Sequence, residues 1–149
     1  ISKPRIYSDA AITYGLSSAI RFDALWPRAI AGFKKNPLLG SGYSTLVKIQ
    51  LTDFTEAEST DNDYLRALGE TGLLGFVSFY GLITYAGFLL WKNLKSKDFY
   101  EGKAVLAAVL AGILGLLINA VYIDVFEASK VALVFWGLIG ASLAYGKTD

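Results

Sequence analysis

The stretch TGLLGFVSFYGLITYAGFLLW, Thr71 to Trp91, is 21 residues without a charge. At about 1.5 Å per residue it makes a helix long enough to cross the roughly 30 Å hydrocarbon core of a bilayer. Two further apolar runs follow it. Ala104 to Ile123 has 20 uncharged residues, and Val131 to Gly146 has 16. The last is short, but Lys130 and Lys147 flank it, and their long stems can lift the charge to the interface. Glycines recur in all three runs, as suits helices that approach one another closely in lipid. The pattern predicts an all-α membrane protein with three transmembrane helices. The competing reading, three buried helices of a large soluble core, has to hide two such runs in a chain of 149 residues.

Composition agrees. The chain is 54% hydrophobic and 18% charged, against about 25% charged in a typical soluble domain. A net charge of +1 and no basic groove with interleaved aromatics argue against a nucleic-acid partner. The absence of Cys rules out disulfides and thiolate zinc sites. The absence of His removes the usual general base and the commonest metal ligand. Chemistry must therefore come mainly from Arg, Lys, Asp, Glu or Tyr. The chain opens on Ile1, not Met, as expected of a piece of a longer polypeptide.

The connections orient the spans. Lys92, Lys95, Lys97 and Lys103 stand against Asp98 and Glu101 in the first, and Asp124 and Glu127 against Lys130 in the second. The positive-inside rule places the lysine-rich connection in the cytoplasm. Residues 1–70 then form an extracytoplasmic loop region with short helices, and residues 71–149 the transmembrane region. Trp91 and Tyr122 fall where interfacial anchors belong.

Within the outer region, residues 1–20 read as loop followed by a mildly apolar stretch. In RFDALWPRAIAGFKKNP, the residues Phe22, Leu25, Trp26, Ala29, Ile30 and Phe33 share one helical face. Lys34 and Lys35 suit the helix C-terminus, and Asn36-Pro37 ends it. Gly40 and Gly42 in LLGSGYSTL allow a tight turn, either a plain one or a nest of amides that holds a phosphate oxygen. KIQLTDFTEAES reads as exposed loop. In TDNDYLRALGETG, Thr60 and Asp63 have capping-box spacing, which predicts a short helix over residues 61–69 and a bend at Gly69 or Gly72. Capping alone would explain the acids there.

Two of these segments carry a resemblance. RFDALWPRAIAGFKKNPLLGSGYSTL resembles one signature of the O-antigen ligase and polysaccharide polymerase superfamily: an Arg, a Trp about a turn later, an amphipathic helix, then NPLLG and a second Gly. TDNDYLRALGETGLLG resembles the other, which usually reads His-Asn, any residue, Tyr-Leu, then Glu-any-Gly before an apolar Leu-Gly run. The likeness is close over residues 21–76, and beyond them only the topology matches. It implies the C-terminal part of a membrane glycosyltransferase whose further, N-terminal transmembrane helices lie upstream. Its implied donor is a glycan on undecaprenyl diphosphate, its acceptor another glycan or a lipid-anchored one, and its setting the outer face of the cytoplasmic membrane. Neither metal nor cofactor is implied.

By the same resemblance, Arg21 faces the pyrophosphate, where a rigid guanidinium can stabilise the leaving diphosphate. Asp61 stands where the family usually has His, so it would accept or orient the acceptor hydroxyl. Trp26, Arg28, Gly40, Gly42, Asn62, Tyr64 and Glu70 are the expected substrate contacts. Glu70 also reads as a local cap, and Arg28 and Arg66 either bind phosphate as well or simply face water. Asp124 and Glu127 read as solvated loop charges. Two other functions remain open: a non-catalytic scaffold for envelope assembly, and a fragment of a polysaccharide transporter. The lack of charges inside the spans counts against a transport path.

Overall fold

The computed structural model describes residues 21–43, 45–46, 49–52, 55–57, 60–96 and 102–145. The reading of residues 1–20, and part of the lysine-rich connection at 97–101, lie outside the described residues. A π-helical turn, Arg21–Leu25, leads into α1 (Trp26–Lys35). Two short strands follow, β1 (Ile49–Thr52) and β2 (Thr55–Ala57), and then α2 (Asp63–Lys95), α3 (Lys103–Asn119) and α4 (Ser129–Tyr145).

The helical reading holds for most of the described chain, with two differences. The segment read as exposed loop forms an antiparallel hairpin, pairing Ile49 with Ala57 and Gln50 with Glu56. Its Ile and Thr residues suit extended backbone, and the local strand pairing outweighs its polarity. The predicted short helix before the membrane run is present but starts differently: Asn62, not Thr60, is its cap. The expected bend is at Gly72, whose non-helical backbone separates that short helix from the long apolar one, and the two together make up the 33 residues of α2 from Asp63 to Lys95.

The π turn has a local cause. Pro27 removes the amide that a regular α-helix would direct back at residue 23, so the chain winds wider there. Of the predicted apolar face, which spans the π turn and α1, Leu25 and Ala29 are buried, whereas Phe22 and Ile30 are exposed.

α2 is the organising element: α1 packs on its first turns, and α3 and α4 pack along the rest. Ile83, Ala86, Leu90, Leu106, Ile113, Phe135 and Ile139 form the core between the last three helices. Among the described residues, α2 is the one helix long and apolar enough to cross a membrane. Its part beyond the kink extends about 34 Å. The second apolar run is shorter as a helix than its 20 uncharged residues suggest, because α3 stops at Asn119 and Ala120 to Ile123 turn away. α3 and α4 have 17 residues each, or about 25 Å. Outward-facing Leu82, Tyr85, Phe88, Leu114, Leu133 and Leu138 are exposed, an apolar surface of the kind that lipid or further helices cover.

Candidate functional site

The two sequence motifs meet at the kink. Gly72 has φ 66° and ψ −166°, which interrupts the α2 bonding pattern. Around the break, the NPLLGSG segment exchanges four backbone hydrogen bonds with α2. Leu73 and Leu74 donate to the carbonyls of Pro37 and Leu38 at 2.8 and 3.2 Å. In return, Ser41 and Gly42 donate to the carbonyls of Gly69 and Glu70 at 2.8 and 2.9 Å. The Ser41 hydroxyl adds a bond to Gly69 O, and Gly40 N donates to Asn36 O.

Glycine is required where the chains touch. A Cβ on Gly40 would overlap the backbone of Glu70, and one on Gly72 the backbone of Leu38 and Gly40. Both also have positive φ, a region that L side chains avoid. Gly69 lies against Ala29, where a Cβ would come within 2.8 Å of the Ala29 carbonyl. The amides of residues 40–42 are thus committed to protein carbonyls. The anion-nest reading of Gly40 and Gly42 gives way to a backbone joint between the motifs.

At the start of both helices, Arg21 Nε donates to Asp61 Oδ2 at 3.2 Å across 40 residues of sequence. The pair sits at the surface, with the Arg21 side chain 18% exposed and that of Asp61 35%. Asp61 has φ 50°, a left-handed conformation that Asp adopts more readily than most residues. Trp26 stacks edge-on against Phe22 at 4.6 Å, and its buried Nε1 has no hydrogen-bond partner among the described residues. Arg28 is exposed on α1.

The residues after Asp61 turn the other way, towards the α3–α4 connection. Asn62 caps α2 by accepting from Leu65 N at 2.9 Å, and donates its Nδ2 to Val121 O at 2.9 Å. Asp63 N donates to Ala120 O, and the Tyr64 hydroxyl to Leu117 O at 2.7 Å. Asn62, Asp63 and Tyr64 therefore occupy carbonyls that the end of α3 leaves open, which accounts for α3 stopping early. Asn62 and Tyr64, expected at the substrate, have their polar atoms engaged inside the protein. So has Glu70, which accepts from Leu46 N at 3.3 Å and Arg66 Nε at 3.5 Å.

Asp124 corrects the sequence reading most. It is no solvated loop charge, since its side chain is 4% exposed. Its Oδ2 accepts from Thr60 N at 3.0 Å and its Oδ1 from Asn62 N at 2.8 Å. Arg66 lies 3.4 Å from it and also pairs with Glu127 and Glu70. Arg66 is thus neither solvent-facing nor free for phosphate. A hint of Asp124 existed in the sequence: a lone acid directly after a 20-residue uncharged run, opposite in sign to Arg66.

Burial pushes the Asp63 carboxyl up to about 6; the Phe126 amide opposes the rise, the Asp124 charge adds to it, and the Val125 amide and Arg66 also oppose it. Burial, then the neighbouring Asp63, raises the Tyr64 phenol. A cavity of about 210 Å³ opens here, lined among others by Tyr43, Asp63, Arg66, Glu70, Tyr80 and Phe126. Arg21 and Asp61 do not line it.

No curated protein and no solved structure gives a significant match to the chain. A family model described as O-antigen ligase matches residues 6–80, which is 75 of 149 residues and includes both motifs and the joint between them. With half of its length matched across that joint, the chain belongs to the O-antigen ligase family.

Proposed function

We propose that this chain carries the outer-face part of a membrane glycosyltransferase that takes a glycan from a polyprenyl-diphosphate carrier. The observation that carries this reading is the 3.2 Å contact of Arg21 with Asp61, which joins the two family motifs at a partly exposed site. In the reaction, an acceptor hydroxyl attacks the anomeric carbon of the donor glycan. The bond from that carbon to the diphosphate oxygen breaks, and the electron pair leaves with the diphosphate. Arg21 supplies a fixed cation for the charge that grows there. Asp61 orients the acceptor hydroxyl and receives its proton, directly or through water. Arg28 adds a second cation on the donor side, and Trp26 offers a ring to the glycan. Gly40, Gly42, Asn62, Tyr64 and Glu70 serve the substrate by fixing the backbone around this pair.

In this reading residues 1–70 lie outside the membrane and residues 71–149 hold its three spans, with the kink at Gly72 near the outer surface. Lys95 stacks over the Trp91 ring at 4.0 Å, a suitable anchor at the inner interface. The upstream helices of a multi-pass protein of the cytoplasmic membrane would complete the donor site.

The test replaces Arg21 with Ala and with Lys in the full-length protein and measures transfer from a polyprenyl-diphosphate donor in membranes. The Arg21→Ala variant is expected to lose about 10²-fold or more in rate at matched protein level, and Arg21→Lys to retain part of it. Undiminished transfer by Arg21→Ala would remove the assignment.

A further inference from the structure

We infer that Asp124, in the connection between α3 and α4, is a positioning residue that holds Asp61 in its left-handed conformation and aims it at Arg21. Asp61 lies between Thr60 and Asn62, and the amides of both neighbours are bound by the two oxygens of one Asp124 carboxylate, at 3.0 and 2.8 Å. A carboxylate bracketing positions 60 and 62 pulls the chain into a tight arch with residue 61 at its crown. That arch is where the left-handed φ of 50° occurs, and the Asp61 side chain leaves it to meet Arg21.

Asp124 binds the amides on either side of Asp61, so its influence passes through the backbone. It is well fixed for the task. Its side chain is nearly fully buried, and Arg66 lies 3.4 Å from its Oδ2. The anchor also ties the arch to α3, because Asn62 and Asp63 bond to Val121 and Ala120 immediately before it. The inference rests on the reading of Arg21 and Asp61 as the reacting pair, but the bracket has a consequence that can be read without any reaction.

The chain contains no Cys, so an Arg21→Cys/Asp61→Cys pair reports their proximity through a short bifunctional thiol reagent. The measurement uses the full-length protein, cleared of any upstream cysteines. With Asp124 intact, cross-linking is expected to be fast. With Asp124→Asn, which sets an amide donor against a backbone N–H, it is expected to slow at least tenfold, and Asp124→Glu to restore part of the rate. In the cysteine-free parent carrying Arg21 and Asp61, Asp124→Asn is expected to lower kcat for transfer at least tenfold with little change in donor KM. Asp124→Glu again recovers part of the loss and guards against a variant that fails to fold.

Unchanged cross-linking in both Asp124 variants overturns the inference. So does slowed cross-linking with unchanged kcat, since the arch would then be irrelevant to transfer. Activity that survives Asp61→Ala defeats the assignment of Asp61 itself, a result separate from what the cross-link shows.

Discussion

On its α1 side, the start of α2 is held by peptide groups; on its α3–α4 side, it is held by carboxylates. The first joint exchanges four backbone hydrogen bonds around Gly40 and Gly72. The second gathers Asp63, Glu70, Asp124 and Glu127 around α2 with one guanidinium, Arg66, among them. The two differ in what can disturb them. Peptide groups carry no net charge and do not titrate, so the first joint responds to shape. Charged side chains respond to pH, to salt and to loss of a partner. Asp61 meets Arg21 ahead of α1 and lies between the two amides that the Asp124 carboxylate holds.

The largest effect is expected from shape. Gly72→Ala adds a Cβ about 2.5 Å from Gly40 N and Leu38 O at a position with φ 66°. Backbone strain and overlap together should cost about 2–5 kcal/mol. Gly81→Ala, where a Cβ meets nothing within 4 Å among the described residues, should change stability little. Thermal unfolding of both variants in detergent checks this, and equal stability of the two would show that the joint is loose.

Next comes the loss of the guanidinium. Arg66→Ala leaves Glu70 and Asp124, 3% and 4% exposed, without their cation. Breaking such a pair costs about 3 kcal/mol, and the wild type should lose stability in high salt more than a charge-free control would. A variant as stable as the wild type would show that water already satisfies these acids.

The smallest effect is a pH dependence. Asp63 moves from an ordinary value of 3.8 to about 6 in the folded protein. The folded state therefore holds this proton more tightly than the unfolded state. Its contribution is present in full below the ordinary value and is lost as pH rises through about 6. Asp63→Asn keeps an acceptor for Phe126 N but cannot ionise. Its Tm should gain on the wild type as pH rises from about 4 to about 7. A constant difference across that range would mean that Asp63 stays ionised at little cost.

The parts of the fold that were legible in the sequence have a period or a steric requirement. The long uncharged run after Gly72, the helix ending at Asn36-Pro37 and the bend at Gly72 all follow from patterns within a few residues. The hairpin was missed because seven or so residues of mixed polarity read equally as loop. The early end of α3 was missed for a different reason. Its apolar composition continues to Ile123, and only the arrival of Asn62, Asp63 and Tyr64 at its carbonyls ends the helix. Asp124 acts across more than 60 residues of sequence through two backbone amides. Backbone amides are present at nearly every position, so such a contact leaves no mark on the residues it binds. Arg21 and Asp61 could be paired only through a family likeness, not from spacing.

The exchange at the kink also bears on how such a protein can change over generations. Its four bonds are made by main-chain atoms, which every replacement except proline preserves. Side chains around the joint are free to drift, while Gly40 and Gly72 are each bound to one residue by the other's backbone. A substitution at either glycine has no simple compensating change at its counterpart, because neither can become smaller. The two segments are thus tied by inheritance as well as by hydrogen bonds. A recombinant that takes one motif from a distant relative should tolerate the foreign side chains, provided both glycines arrive in place.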